Sequence, residues 1–544
     1  MRPVIRLVAI LYLAALLAAC TRVQTGQSGG RHGWSQPNIA RVVLFLEPSS
    51  LNPILSTSTG EVMVDTMIFD PLVTVDDKGN DVPVLAAQVP TLENGGISKD
   101  GLTLTYKLRK NVKWHDGASF TADDVKFSWQ AVMNPANNVQ SRKGFDVVQA
   151  VDTPDAYTVV FHMKRPYAPA IETLFSESDS PYRVLPKHLL SKYPNINRIP
   201  FNSQPVGTGP FKFVKWVRGD RIEMVTNPDY FLGKPKLKRV IWKVIPDSNT
   251  QDAQMRSHEV DLVPELGGPQ YRDLRNHPDI SIVLSNSPQY EAIGINMSRP
   301  FMNDLKVRRA LAYAIDKRRV ADDTQFGTAT LATEDLPTYM WAYNPKVVRY
   351  DYDPKKAAQT LDGDGWKLAP DGVREKNGQR LSLQFSIAQG SAAASAISVI
   401  VQSQLKAVGI ETQIKQYNYT LLYASVANGG IYQSGKFDIN IYAWVSGADP
   451  DDSSQFMCDY IPPKGNNAFR FCDRGYDTQQ NIALTHFDRA TRKQAYARAQ
   501  AIMAEQIPEV FLFYRKQIAA LSPDLRGYAP NGITETWNAY RWSI

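Results

Sequence analysis

Several short stretches carry side chains whose types and spacing can do chemistry. Asp449, Asp451 and Asp452 crowd into the run Trp444-Val445-Ser446-Gly447-Ala448-Asp449-Pro450-Asp451-Asp452. Carboxylates so close together can act as a general acid/base pair, ligate a hard cation or accept hydrogen bonds from an amine. No His and no second carboxylate cluster lies near them in sequence, so an amine contact or a solvated loop is the expectation. Asp362-Gly363-Asp364-Gly365 begins like a calcium loop, but no Glu completes it; a helix end followed by a tight turn accounts for it. Gly26-Gln27-Ser28-Gly29-Gly30 matches the G-x-S-x-G nucleophile pattern. That pattern works only between a strand and a helix, and the polar residues around it offer neither. His115-Asp116, in VKWHDGASFTADDVKFSW, looks like the edge of an active site. Asp116-Gly117 is a turn dipeptide, and a turn role is expected for the pair.

The remaining motifs are negative. The seven histidines include no H-E-x-x-H pair, and no G-x-x-x-x-G-K-[ST] loop occurs. Val206-Gly207-Thr208-Gly209-Pro210 has two glycines but no third to complete a dinucleotide fingerprint. No catalytic residue, metal ligand set or cofactor is assigned. Catalytic groups need not be neighbours in sequence, so an exported hydrolase stays open as a reading. Cys458 and Cys472 form an even pair in a chain read below as exported, which points to a disulfide closing a loop of about 15 residues. Two free thiols, or a two-Cys metal site without a His between, are the alternatives.

The elements that must position these groups alternate in type. Ala40–Leu46 and Leu102–Leu108, Tyr157–His162, Arg221–Val225 and Val240–Ile245 read as strands. Thr121-Ala122-Asp123-Asp124 is a capping-box variant that starts a helix carrying Val125, Trp129, Val132 and Met133 on one stripe. A second helix is expected from Asp304 to about Val320, with Lys306–Arg309 and Lys317–Arg319 on its solvated face. Helices at Ala392–Val408 and Arg489–Gln506 each precede a strand, Ile410–Tyr417 and Val510–Tyr514. Strands interleaved with helices define an α/β chain. Its 544 residues exceed what a single core holds, so at least two lobes are expected.

The N-terminus is a targeting segment. Arg2 and Arg6 precede the apolar run Leu7–Ala19, too short to span a bilayer and suited to a signal peptide. Leu17-Ala18-Ala19-Cys20 resembles a bacterial lipobox, which would make Cys20 a lipidated N-terminus; a soluble secreted protein cut near Ala19 is the alternative. Removal of Arg2 and Arg6 takes the net charge from +7 to +5, too mild for a nucleic-acid surface. Residues 20–37 read as a Gly/Ser-rich tether.

An ordered set of segments completes the reading. Asp70-Pro71-Leu72-Val73, Pro83–Ala86, Asp100–Thr103 through Lys107–Lys110 to Trp129, Pro205–Phe211, Asn227–Tyr230 and Glu259–Asp261 come first. Val307–Lys317, Tyr352–Ala357 and Gly365-Trp366 follow. In this order the chain resembles the family 5 extracellular solute-binding proteins, the dipeptide- and oligopeptide-binding receptors of bacterial ABC importers. The resemblance implies a two-lobed, periplasmic-binding-protein-like fold of type II with an extra inserted domain and a ligand cleft between lobes. Lobe I would hold 38–80, 205–290 and 508–544, interrupted by the inserted domain at 81–204; lobe II would hold 291–507. Hinges would fall near Tyr290–Asn296 and Gln506–Tyr514. The implied role is a monomeric, membrane-anchored receptor facing the periplasm or cell exterior, which delivers peptides to a permease; haem, a nickel chelate or an oligosaccharide are the alternative cargoes. In peptide-binding relatives an Asp three residues after a Trp accepts the ligand's α-amine. Here that position is Gly447, so Asp449 is the substitute, with Trp444 beside it. The segment after Leu51-Asn52-Pro53 implies ligand contacts at Thr57 and Ser58. Asn467 and Arg470, by the cysteine pair, would face the cleft or the surface.

Overall fold

The computed structural model describes residues 31–55, 58–176 and 181–544. The signal-like segment, Cys20, the start of the tether, Ser56 and Thr57 therefore lie outside the described residues. The tether's last residues are docked. The Trp34 ring stacks between His32 at 4.4 Å and His258 at 4.0 Å, and Asp524 accepts from the His32 backbone N–H and the Ser35 hydroxyl.

Among the described residues one sheet of 11 strands runs through the molecule. From one edge its order is Glu411–Tyr417, Ser382–Ala388, Ile439–Val445, Ser281–Ile295, Glu509–Leu521, Leu262–Val263, Ile39–Leu44, Arg239–Val244, Arg221–Thr226 and Phe211–Val217. Thr330–Leu331 pairs to the side on Glu509–Leu521. Ile39–Leu44 is parallel to its neighbours on both sides. Its Ala40, Val42, Val43 and Leu44 are fully buried, as expected of a parallel strand covered on both faces. Arg41 crosses to the next strand, where Nε and Nη2 donate to the Asp261 carboxylate at 2.9 and 2.8 Å.

Two strands belong to both halves. Val283, Ala519 and Leu521 pack on one large core, with Val42 and Trp242. Ile293, Ile295, Val510 and Leu512, further along the same strands, pack on a second core with Val307, Leu311 and Val401. The pairing register slips between Asn286 and Tyr290, opposite Lys516 and Tyr514. The fold is thus two-lobed and α/β.

The helix expected from Asp304 to Val320 is two helices, Leu305–Ala314 and Lys317–Gln325. The chain turns extended at Ile315, and the Asp316 side chain accepts from the Arg319 N–H to start the second. Apolar spacing carried through the break because both helices face one core. Arg308 is not on a solvated face: it is buried, donating to the Met302 and Gln506 carbonyls at 2.8 Å each. The Asp362–Gly365 segment is a helix end and turn, with Gly365 at φ 88°.

His115 and Asp116 shape a turn and do more. The Trp114 N–H donates to the Ala118 carbonyl at 2.8 Å, around Gly117 at φ 94°. The His115 N–H donates to the Gly207 carbonyl at 2.8 Å. Its ring lies between the Gly207 N–H, 3.2 Å from Nδ1, and the Gly209 carbonyl, 3.0 Å from Nε2. Nδ1 must accept, so Nε2 carries the proton. The loop it clamps presses on Ile68: a Cβ on Gly207 would stand 1.9 Å from the Ile68 carbonyl oxygen. That close approach is why glycine occupies the position.

Candidate ligand-binding cleft

The strand Ile439–Val445 ends where the two lobes meet. Trp444 sits opposite Tyr290 of the crossing strand, and its ring stacks on Tyr442 at 6.2 Å. Behind them Tyr442 donates to the Gln455 side-chain oxygen at 2.9 Å. The loop that follows carries the aspartates singled out by sequence.

Asp449 is buried, and its carboxylate is occupied. Arg492 Nη2 donates to Oδ2 at 2.5 Å and the Tyr496 hydroxyl to Oδ1 at 3.2 Å. Burial alone would lower the Arg492 guanidinium, but the adjacent Asp449 charge raises it well above its ordinary value. Burial raises the Asp449 carboxyl, against the lowering by Arg492 and by the Tyr496 hydrogen bond. Arg492 and Tyr496 stand one turn apart on the helix Arg489–Gln506, whose start is capped by Asp488 accepting from the Thr491 N–H at 2.7 Å.

Asp451 faces the other way, across the junction. Lys143 Nζ is 3.1 Å from Oδ2, the Tyr167 hydroxyl donates to Oδ2 at 3.3 Å, and the Ser453 N–H donates to Oδ1 at 3.0 Å. Burial would raise this acid; the Lys143 charge and the Ser453 hydrogen bonds outweigh it and hold it below the usual carboxylate range. The same contact zone includes a main-chain bond from the Ala168 N–H to the Leu484 carbonyl at 2.7 Å. Gly101 closes against the Phe487 ring, where a Cβ would come within 2.4 Å.

Two cavities flank this zone. One of about 30 Å³ lies between Lys143, Tyr167, Glu172, Trp444, Gly447 and Asp451. The other, about 390 Å³, is lined by Asp81, Glu172, Trp341, Phe487, Arg489 and Arg492. Glu172 Oε2 is buried without a hydrogen-bond partner. Burial, then the nearby Asp81 and Asp449, push its carboxyl well above the ordinary range. Among the described residues no group of three or more His, Cys, Asp or Glu is placed to hold a metal ion.

The other residues named from sequence support the protein itself. Cys458 and Cys472 are bonded. Inside that loop Asn467 is fully buried; its Nδ2 donates to the Met457 and Phe471 carbonyls at 3.0 and 2.7 Å. Arg470 donates to the Gln433 carbonyl at 2.8 Å and to that of Ala468. The Ser58 hydroxyl donates to Glu61 Oε2 at 2.8 Å, while Glu61 Oε1 accepts from the Ser50 N–H at 2.8 Å. Of the expected contact residues, Trp444 and Asp449 line a cavity together. Sequence reading missed Lys143, Tyr167, Glu172 and Arg492. Lys143 lies in an ordinary polar turn with no local signal. Arg492 and Tyr496 share a helix face, but that spacing is common.

Two cores joined by crossing strands, with a polar junction between them, define a two-lobed α/β binding protein. A model of the bacterial extracellular solute-binding proteins, family 5, matches residues 82–467, and the chain belongs to that family. It is 28% identical over 545 residues to the oligopeptide-binding protein AppA of Bacillus subtilis, covering 98% of this chain and 97% of that protein. The solved structure of AppA in complex with a nonapeptide superposes with a TM-score of 0.76 at 28% identity, covering 94% of this chain and 100% of that one. NikZ of Campylobacter jejuni, in complex with Ni(L-His), gives a TM-score of 0.78 at 29% identity, with 94% and 100% covered.

Proposed function

We propose that this chain is the lipid-anchored receptor of an ABC importer, which captures peptides between its lobes and passes them unchanged to a permease. The observation that carries the reading is the pair of crossing strands. Ser281–Ile295 and Glu509–Leu521 each contribute to both cores and slip in register midway. A second slip falls between Glu291 and Ala292, opposite Phe513 and Phe511; such slips bend a sheet locally, so the hinges fall at 286–292 and 511–516, overlapping the ranges that the resemblance implied. The proposed lobes are 38–80 with 205–290 and 515–544, carrying the inserted domain 81–204, and 291–514; Val510 and Leu512, which the resemblance put in the first lobe, pack with the second. Ligand stabilises the closed form by binding it more tightly than the open one.

The peptide assignment rests on the likeness to AppA over almost the whole chain. Main-chain atoms of an extended peptide would lie beside Trp444, with waters adapting the pockets to varied side chains; the contacts expected at Thr57 and Ser58 are proposed from the resemblance alone, Thr57 lying outside the described residues. Asp449, Asn467 and Arg470 would act by shaping the walls. A second reading, a metal chelate as cargo, draws on NikZ. Native mass spectrometry of the purified chain decides between them. Intact peptide masses carried from the host support the first; a metal–amino-acid adduct supports the second; cleaved products from an added peptide library would overturn both in favour of an exported hydrolase.

A further inference from the structure

We infer that Lys143 is the protein's own cation at the lobe junction, standing where a ligand ammonium would otherwise bind, so that the cargo needs no free α-amine there. This deepens the peptide reading and rests on it.

Two of the three carboxylates in the loop after Trp444 have internal counter-ions; the third, Asp452, is buried beside Asp335 with an unpartnered Oδ1. Arg492, from the same lobe, satisfies Asp449. Lys143, from the inserted segment, satisfies Asp451 across the gap at 3.1 Å. Tyr167 and the Ser453 N–H complete the Asp451 shell. An ammonium arriving here would have to displace Lys143 or Arg492. Glu172 also has an unpartnered oxygen, but burial and its acidic neighbours raise its carboxyl well above the ordinary range, which weakens it as a counter-ion. The cavity at Lys143 and Asp451, about 30 Å³, has room for a water and not for a peptide terminus; the larger one, about 390 Å³, is lined by Glu172 and Arg492 and by neither Lys143 nor Asp451. Lys143 is the replaceable member of the set. Its side chain is 32% exposed, whereas Arg492 is buried and also donates to the Ala483 carbonyl at 2.9 Å.

The test uses the mature full chain and matched peptides with free and N-acetylated termini, titrated by calorimetry. Wild type is expected to bind the two forms within threefold of each other. Lys143→Met frees Asp451 as an acceptor, so the free-amine form should gain tenfold or more while the acetylated form does not; Lys143→Arg should keep the wild-type ratio. A tenfold loss on acetylation in wild type overturns the inference. So does an equal change, or no change, for both forms in Lys143→Met, or a tenfold loss of the free-amine form in Glu172→Gln. Spin labels placed on the two lobes give an independent readout without ligand. The distance should lengthen in Lys143→Met, and an unchanged distance overturns the inference. Failure of every peptide to bind wild type and variants alike sinks the peptide reading, while the ligand-free distance still decides the role of Lys143.

Discussion

His115 is a polar side chain held neutral inside the fold. Burial is the main reason its pKa falls to about 4 from 6.5, and protonating Nδ1 would set two donors, its own and the Gly207 N–H, against each other. Because the folded value is depressed, the stability it supports is complete above about pH 6.5 and is lost as pH falls toward 4. The size is about 3 kcal/mol. Urea unfolding at pH 4.5 and 7 should show His115→Gln less stable at neutral pH and flatter on the acid side. Glu535 has the opposite sign. Burial, then the neighbouring Glu265, raise it from 4.5 to about 8. Its contribution is complete below about pH 4.5 and is lost as pH rises through 8, so Glu535→Gln should flatten the alkaline side of the same profile. The buried Asp261 is a third case. Asp261→Ala leaves Arg41 without its two-pronged partner and should cost about 3–5 kcal/mol, read as a lower urea midpoint. The pattern around residue 115 announced a turn in the sequence. The clamp on Gly207 and Gly209 did not show, because its partners lie more than ninety residues away.

At the scale of elements, local signals were dependable where the chain answers to itself. The capping box at Thr121 formed, with its N–H donating to Asp124 at 2.9 Å. The helix Arg489–Gln506 took the limits read from its pattern. The break at Ile315 was hidden because apolar spacing ran across it, and only the Asp316 cap marks it. The long strand Ser281–Ile295 was not read as a strand, since its first half is half-exposed and mixed in polarity; only its far end was named, as a hinge. The loop between Cys458 and Cys472 depends on both its bond and Asn467. Reduction should cost about 3 kcal/mol for a loop of this length, seen as a fall in melting temperature with dithiothreitol. Asn467→Ala should destabilise by about 1–3 kcal/mol through the unpaired Met457 and Phe471 carbonyls.

For the whole molecule the prediction concerns closure. A cargo bound between the lobes should shrink the radius of gyration measured by X-ray scattering. At a hundredfold excess over its Kd it should add about 2.7 kcal/mol to unfolding; a ligand that raises the melting point without compaction would speak against hinge closure. The α/β class, the cysteine pair and the ordered family segments were set by residues near one another in sequence, because propensity, periodicity, turns and motifs are local. The junction was decided by tertiary structure alone. Lys143 and Asp451 stand 308 residues apart, and Asp449 has a structural role only because folding brings Arg492 and Tyr496 against it. An ion pair depends on distance through space, and no pattern along the chain records which charge will lie three ångströms from which.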